Sequence, residues 1–359
     1  MNIVHFDKEK KYIRDFLSLP KSLYTAKDNM EDPDSIKKFL NGTHPLSKYF
    51  TLAKFLVYDN GKPVGRFAVT TYPDDDTAYL GFYECTDDDR AAKYLFEQAV
   101  SFCREKGYAK IVGPVDGSFW QKYRLKINMF DRLPYTGEPY NKPYYFRQFT
   151  DNGFTVAEHY TSNQFRAVDE SYRNEKFEER FKEFLSRGYR IESPTEENYD
   201  SIIDEVYDMI MHLYSDFPIF KSLTLEDFRE IYSSYKLIMN MSMTKIAFYK
   251  DKAVGFYISI PDYSNRVYHA GLFSLPKLMK IKKKPSQYVM LYMGVRPEHR
   301  GLGKALVYSI MQELEKSRLP SIGALARDGK PTQRYAFDDV TDVYEYVLLE
   351  HTLQGGEPQ

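Results

Sequence analysis

The stretch Val295-Arg296-Pro297-Glu298-His299-Arg300-Gly301-Leu302-Gly303-Lys304-Ala305 lies between two segments of different pattern. Before it, residues 288–295 form an apolar run typical of a buried strand. After it, Leu306, Ile310 and Leu314 recur at helical spacing. The sequence therefore predicts a strand, a glycine-bearing turn and a helix in direct succession.

Such a turn is suited to an anion. The first N–H groups of a helix have no partner within the helix, and the helix dipole favours negative charge at that end. Gly301 and Gly303 let a ligand approach the main chain, and Arg300 and Lys304 add cations. The pattern predicts a diphosphate site but not a Walker A loop, because Ala305 replaces the Ser or Thr that would hold magnesium.

One strand pattern occurs twice. Residues 55–69 and residues 246–260 each consist of two β-rich segments joined by polar turn residues, which predicts a hairpin in each half. In the first half we then expect a strand, a helix and two strands at residues 78–83, 90–106, 110–112 and 154–165. In the second half we expect the same series at residues 288–295, 303–317, 321–326 and 343–349.

The repetition predicts two copies of one α/β unit, each a mixed, mostly antiparallel sheet flanked by helices and closed by its own last strand. We assign residues 1–170 and 189–359 to the two domains and residues 171–188 to a linker helix. Residues 275–284 form an insertion with five lysines. Two interpretations of this insertion stay open: a solvated loop, or a rim that attracts a phosphorylated ligand.

The turn at Arg300, Gly303 and Ala305 has the pattern Arg-x-x-Gly-x-Ala, and on it the chain resembles the GNAT superfamily of acyl-CoA-dependent N-acetyltransferases. The resemblance covers the second half in element order and implies acetyl-CoA as co-substrate, with pantetheine pairing to the strand before the turn. The coenzyme-binding residues implied are Met293, Gly294, Val295, Arg300, Gly301, Leu302, Gly303, Lys304 and Ala305.

The resemblance also implies a catalytic tyrosine after the fifth strand, and Tyr335 lies at about that place. Many members of the superfamily carry a glutamate on the strand before the turn, whereas residues 287–294 contain no carboxylate. Glu298, His299, Asp262 and His269 are the other candidates for a general base, with a water relay as a further route.

The first half lacks the glycine turn and has Thr86-Asp87-Asp88-Asp89-Arg90-Ala91 in its place. Acidic side chains suit a helix N-terminus but would repel a diphosphate. This half resembles the degenerate copy of tandem GNAT proteins, and we expect it to bind no coenzyme. Residues 113–118 and 139–145 are aromatic enough to line a groove or to pack at a domain interface.

Composition and charge argue against several classes of partner and ligand. Lys and Arg number 50 against 51 Asp and Glu, a net charge of −1, so we expect neither a nucleic-acid nor a membrane partner. Cys85 and Cys103 show no zinc spacing, and we expect no metal. The N-terminus reaches charged residues before any signal-peptide core, which favours the cytoplasm.

These observations predict a cytoplasmic N-acetyltransferase that transfers an acetyl group to a primary amine of a small molecule or peptide. Two alternatives stay open. One is a catalytically silent tandem-GNAT binding or scaffold protein. The other is an acyl or aminoacyl transferase that uses a different donor. The sequence predicts neither the acceptor nor the oligomeric state, because acceptor pockets are built from loops.

Overall fold

The computed structural model describes residues 1–269, 274–330 and 337–353, and they form two compact units. Unit 1 comprises Met1–Tyr160 together with the segment that begins at Glu345, and unit 2 comprises Thr161–Tyr344. Each unit is a mixed sheet flanked by helices, which confirms the predicted α/β class.

The N-terminal part of the chain contains seven strands and five α-helices. They are β1 Asn2–Phe6, α1 Lys10–Ser18, α2 Pro20–Leu23, α3 Pro33–Asn41, β2 Thr51–Asp59, β3 Lys62–Thr71, β4 Thr77–Cys85, α4 Asp89–Glu105, β5 Lys110–Gly113, β6 Leu125–Lys126, α5 Tyr145–Asp151 and β7 Thr155–Phe165. The sheet of unit 1 has the order β1-β2-β3-β4-β5 and continues with the C-terminal part of the last strand of the chain.

The remaining elements follow the same plan with more helices before the hairpin. They are α6 Glu175–Ser186, β8 Arg190–Glu192, α7 Tyr199–Leu213, α8 Leu225–Tyr232, α9 Tyr235–Ile238, β9 Thr244–Tyr249, β10 Lys252–Pro261, α10 Leu275–Lys283, β11 Tyr288–Val295, α11 Leu302–Ser317, β12 Ser321–Arg327 and β13 Val340–Thr352. The sheet of unit 2 has the order β8-β9-β10-β11-β12, followed by β7.

Both predicted hairpins are present, as β2–β3 and β9–β10. Their turns have positive φ at both central residues, Asn60 and Gly61 in the first and Lys250 and Asp251 in the second. This geometry matches the right-handed twist of the flanking strands. The amphipathic helix of each unit then packs on its hairpin sheet, with Leu95 of α4 in one core and Leu306 of α11 in the other.

The structure corrects the assignments of residues 275–284 and of the linker helix. Residues 275–284, considered as a solvated loop, form α10 over nine of their ten positions. The helix predicted as a linker is α6, and it belongs to unit 2 because Phe177 and Phe184 are buried in the core with Leu302. Its apolar face requires a partner, and α11 provides one.

The last strand of each half, β7 and β13, also differs from the prediction. The sequence predicts that each half closes its own sheet, but β13 enters unit 1 at Glu345 and pairs there with β5, with Leu349 opposite Gly113. Likewise, β7 crosses into unit 2 at Thr161. The observed units therefore differ from the predicted ranges 1–170 and 189–359. A strand pattern shows that a segment is half buried but does not show which sheet it completes.

Candidate functional site

Strands β11 and β12 separate part-way along their length. They pair in parallel from Tyr288 opposite Ser321 to Met290 opposite Gly323, and the pairing ends there although β11 continues to Val295. On its other side β11 stays paired with β10 up to Val295, with one extra residue accommodated between Met290 and Tyr292. Beyond Met290, one edge of the β11 main chain is therefore not bonded to β12.

The predicted turn lies directly after this separated segment. Gly301 has φ +98°, a conformation that favours glycine, and precedes α11 with no side chain capping the helix. Within the described residues, the N–H groups of Leu302 and Gly303 have no acceptor, whereas the Lys304 N–H donates to the Gly301 carbonyl at 3.3 Å. Two main-chain donors are thus available at the positive end of the helix.

The side chains of the turn divide between core and solvent. Leu302 and Ala305 are fully buried and hold the start of α11 against the sheet, and Gly303 is buried between them. Arg300 is exposed and Lys304 is half-buried. The six consecutive predicted residues, 300–305, therefore lie at one helix N-terminus, and two of them, Arg300 and Lys304, are cations.

The strand residues predicted to pair with a ligand are less open than expected. The Tyr214 hydroxyl, at the end of α7, donates to the Met293 carbonyl at 3.2 Å. A Cβ atom on Gly294 would lie 2.7 Å from the Phe256 ring and 2.8 Å from the Leu213 side chain, so a larger residue there would have to displace both side chains. Val295 pairs with Gly255 at the end of the β10–β11 ladder.

The candidate bases are held in structural contacts or exposed. The Asp262 carboxylate accepts from the Gln287 side chain at 2.6 Å and from the Ser264 N–H at 2.7 Å, which fixes the turn after β10. Glu298 and His269 are exposed. No described residue on β11 is a carboxylate, and Tyr335 lies outside the described residues.

His299 is the candidate base with the most contacts. Its Nδ1 lies 2.6 Å from the Tyr189 hydroxyl, and its ring packs edge-on against Tyr189 and Tyr249. Burial lowers the pKa of His299, and the guanidiniums of Arg296 and Arg187 act in the same direction, whereas the charge of Glu298 opposes them. A neutral imidazole between tyrosines suits a role in packing the turn before Arg300.

An aromatic cluster that the sequence analysis missed lies beside the separated part of β11. Tyr292, on β11 itself, is hydrogen-bonded to Tyr232 at the end of α8. Burial and then the charge of the Tyr292 hydroxyl raise the pKa of Tyr232 well above its ordinary value. Tyr214 stacks on Phe217 with ring centroids 5.1 Å apart. We call Tyr214, Phe217, Tyr232, Tyr235 and Tyr292 the aromatic cluster.

The loop after α7 connects this cluster to the end of β12. The Arg327 guanidinium lies 5.5 Å from the centroid of the Phe217 ring, and Lys330 forms an ion pair with Asp216 at 2.8 Å. The hydroxyl of Tyr214 reaches β11 in the same region. The tyrosines between residues 199 and 235 are the sequence feature that could have indicated this cluster. Their spacing does not indicate which strand they approach.

In unit 1 the equivalent space is filled by main chain. Strands β4 and β5 also separate after three paired residues, Thr77 to Tyr79, and Phe82 has φ +51° where β4 bulges against β3. The Val115 N–H donates to the Leu80 carbonyl at 2.8 Å, and the Asp116 carboxylate accepts from the Phe82 N–H at 2.5 Å. The loop after β5 therefore occupies the space between the strands.

The helix N-terminus of unit 1 is closed as well. The Asp88 carboxylate caps α4 by accepting from the Arg90 N–H at 2.9 Å. Asp87 and Asp89 both form ion pairs with Arg147. The predicted acidic cap is confirmed. The loop at Val115 is a second obstacle to a coenzyme in unit 1, and the sequence did not predict it.

Solved structures share this architecture over the whole chain. A tandem GNAT protein from the clavulanic acid biosynthesis pathway, solved without acetyl-CoA, covers 99% of this chain and 99% of its own, with a TM-score of 0.55 and 12% identity. The chain has the tandem GNAT fold. A GCN5-related glucosamine N-acetyltransferase region of a fungal multi-domain β-N-acetylglucosaminidase covers 97% of the chain, which spans 38% of that protein, with a TM-score of 0.55 and 13% identity.

Sequence similarity connects this tandem GNAT-fold chain with two further proteins. Protein YghO of Escherichia coli (strain K12) is 26% identical over 155 residues, 40% of this chain and 39% of YghO. The bacterial ceramide synthase of Caulobacter vibrioides (strain NA1000 / CB15N) is 21% identical over 268 residues, 71% of this chain and 68% of the synthase. No protein-family model matches the chain.

Two further observations concern the described residues as a whole. None of their helices combines the length and the apolar character needed to span a bilayer. They also contain no group of three or more His, Cys, Asp or Glu side chains placed to hold a metal ion.

Proposed function

We propose that unit 2 transfers an acyl group from a coenzyme A thioester to a primary amine, with acetyl-CoA as the donor. The observation that carries the proposal is the separation of β11 from β12 immediately before the Gly301 turn. The edge of β11 that is not bonded to β12 offers pairing groups to an amide-containing arm, apart from the Met293 carbonyl, which already accepts from Tyr214. The N–H groups of Leu302 and Gly303 offer donors to a diphosphate. The two features lie on consecutive elements of one unit.

The reaction forms an amide bond between the neutral amine and the acyl carbon and breaks the carbon–sulfur bond of the thioester. The amine proton passes to water, and the departing thiolate takes a proton from an acid. We assign that acid to Tyr335, on the resemblance alone. Positioning by the strand edge and the turn supplies the remaining catalysis, because holding two reactants together replaces a bimolecular encounter.

Long-chain acyl-CoA is a second candidate donor. The likeness to the bacterial ceramide synthase favours it, because ceramide is an amide of a long-chain amine and a fatty acid. The aromatic cluster beside β11 also favours a long-chain donor, since Tyr and Phe rings offer apolar surface to an acyl chain. The test is therefore made with both donors.

The experiment measures coenzyme A release with acetyl-CoA and with palmitoyl-CoA against a panel of primary amines that includes long-chain amino alcohols. We expect amine-dependent release that disappears in the Gly303→Asp variant, with an Arg318→Ala variant at the opposite end of α11 as the matched control. Coenzyme A binding without any turnover would favour the scaffold alternative. Neither binding nor turnover would reject the proposal.

A further inference from the structure

The segment that follows β10 carries an unusual local charge. Residues 274–287 contain five lysines and no acidic residue, although the chain as a whole has a net charge of −1. A charge of +5 within fourteen residues creates a strong local field that the overall balance conceals. The expectation of no membrane partner rested on that overall balance.

The structure places three of these charges on one side of a helix. In α10, Leu278 is buried and attaches the helix to unit 2, whereas Lys277, Lys280 and Lys283 are exposed and three residues apart. Residues three apart lie on the same side of a helix, so the three ammonium groups face solvent together. Within the described residues, none of the five lysines forms an ion pair.

Two exposed leucines accompany the lysines. Leu275 begins α10 and is 50% exposed, and Leu237 on α9 is 61% exposed. The Lys282 ammonium donates to the Leu237 carbonyl at 3.1 Å, which places α9 directly beside α10. Cations and apolar side chains therefore share one patch, which we call the α9–α10 surface: Leu237, Leu275, Lys277, Lys280, Lys282, Lys283 and Lys284.

We propose that the α9–α10 surface docks on a membrane that carries anionic lipids, with the lysines at the headgroups and the two leucines in the interface. Clusters of four to eight basic residues on an amphipathic segment bind anionic lipid, and exposed apolar side chains add burial. A nucleic-acid site would use arginines and aromatic rings, and residues 274–286 contain neither. The proposal goes beyond the proposed reaction and does not depend on it.

The position of the surface gives the docking a use. Helix α9 also carries Tyr235, whose pKa is raised by burial and by the neighbouring hydroxyl of Tyr292 on β11. One short helix thus carries Leu237 on the proposed membrane surface and Tyr235 in the aromatic cluster. An amphipathic acceptor drawn from a bilayer would enter unit 2 next to the separated strand.

The test is co-sedimentation of the full chain with vesicles of phosphatidylcholine alone and with vesicles containing a third phosphatidylglycerol. We expect binding to the anionic vesicles only, weakened by salt. Lysines near a charged surface contribute about 1 kcal/mol each, so Lys277→Gln, Lys280→Gln and Lys283→Gln together should lower the partition coefficient about a hundredfold. Leu237→Ser with Leu275→Ser should lower the binding that persists at high salt.

Matched controls are available in unit 1. Lys37→Gln, Lys62→Gln and Lys106→Gln change the same charge at exposed sites elsewhere, and Leu133→Ser replaces a leucine that is 62% exposed. These variants should bind vesicles as the wild type does. Equal loss in both lysine variants, no binding to anionic vesicles, displacement by free inorganic phosphate at matched ionic strength, or tighter binding to RNA would each overturn the proposal.

Discussion

A Cβ atom on Gly81 of β4 would lie 1.8 Å from the carbonyl oxygen of Val115. The loop after β5 is therefore packed against the β4 main chain at the point where β4 and β5 separate. In unit 2, the corresponding edge of β11 is reached instead by a side-chain hydroxyl, from Tyr214 to the Met293 carbonyl. The space beside β4 is therefore filled by main chain, whereas the edge of β11 beyond Met290 is contacted by a side chain and is not paired with β12.

Gly81→Ala should strongly destabilise unit 1. The residue has no positive φ, so the cost arises from the clash with Val115 and not from backbone strain. We expect a loss of about 3 kcal/mol in the free energy of unfolding, typical of overpacking that moves the main chain. Urea denaturation measures it. Gly107→Ala, at a position with φ +81° and open space, is the control and should cost about 1 kcal/mol.

Gly303→Asp should weaken coenzyme A binding at least a hundredfold. The new carboxylate would compete for the N–H groups of Leu302 and Gly303 and repel the diphosphate, and charge-assisted hydrogen bonds contribute about 1.5–3 kcal/mol each. Calorimetric titration measures the dissociation constant. Gly303→Ala separates bulk from charge and should cost less. Equal affinity in the wild type and the Asp variant would remove this turn from the site.

Tyr335→Phe should lower kcat by about a hundredfold or more while KM changes little, because loss of a general acid affects the transition state more than binding. The pH dependence of kcat should lose its alkaline limb. Steady-state coenzyme A release measures both. Tyr308→Phe on α11 is the matched control. An unchanged kcat in the Tyr335 variant would assign the proton to another donor.

The stability of unit 1 should depend on pH through the ionisation of Glu84. Burial first, and then the charge of Glu31, raise the pKa of Glu84 to about 7 from its ordinary 4.5, while Arg66 and Lys122 oppose the rise. The Tyr145 hydroxyl donates to this carboxylate at 2.5 Å. Because the folded-state pKa is the higher one, the contribution to stability is fully present below pH 4.5 and is lost as the pH rises through about 7.

Glu84→Gln should remove that dependence. The difference in free energy of unfolding between Glu84→Gln and the wild type should grow in favour of the variant between pH 4.5 and 7, by a few kcal/mol at about 1.4 kcal/mol per pKa unit. Urea denaturation at fixed ionic strength measures it. Glu97→Gln, at an exposed site on α4, is the control variant. A wild type that gains stability relative to Glu84→Gln over this range would contradict the assignment.

Lys126→Met should destabilise the region where β13 joins unit 1. The Lys126 ammonium and the Glu138 carboxylate are fully buried 2.7 Å apart, and the Tyr346 hydroxyl of β13 donates to the same carboxylate at 2.7 Å. Removing one partner of a buried pair costs about 3–5 kcal/mol because the other charge stays buried.

The double variant Lys126→Met with Glu138→Leu should recover most of that loss, since no isolated charge remains. Urea denaturation of the single and double variants measures the difference. A single variant as stable as the wild type would show that Glu138 is protonated or hydrated in the protein.

The sequence by itself determined the strand, turn and helix of the candidate site, because apolar periodicity, Gly301 and the start of α11 are local properties. It also predicted both hairpins and the acidic cap at Asp88. Only the tertiary structure decided that β13 completes the sheet of unit 1, that Val115 fills the space beside Gly81, and that Tyr214 reaches Met293. Those contacts join residues far apart in the chain, and no local pattern specifies which strand edge a distant segment meets.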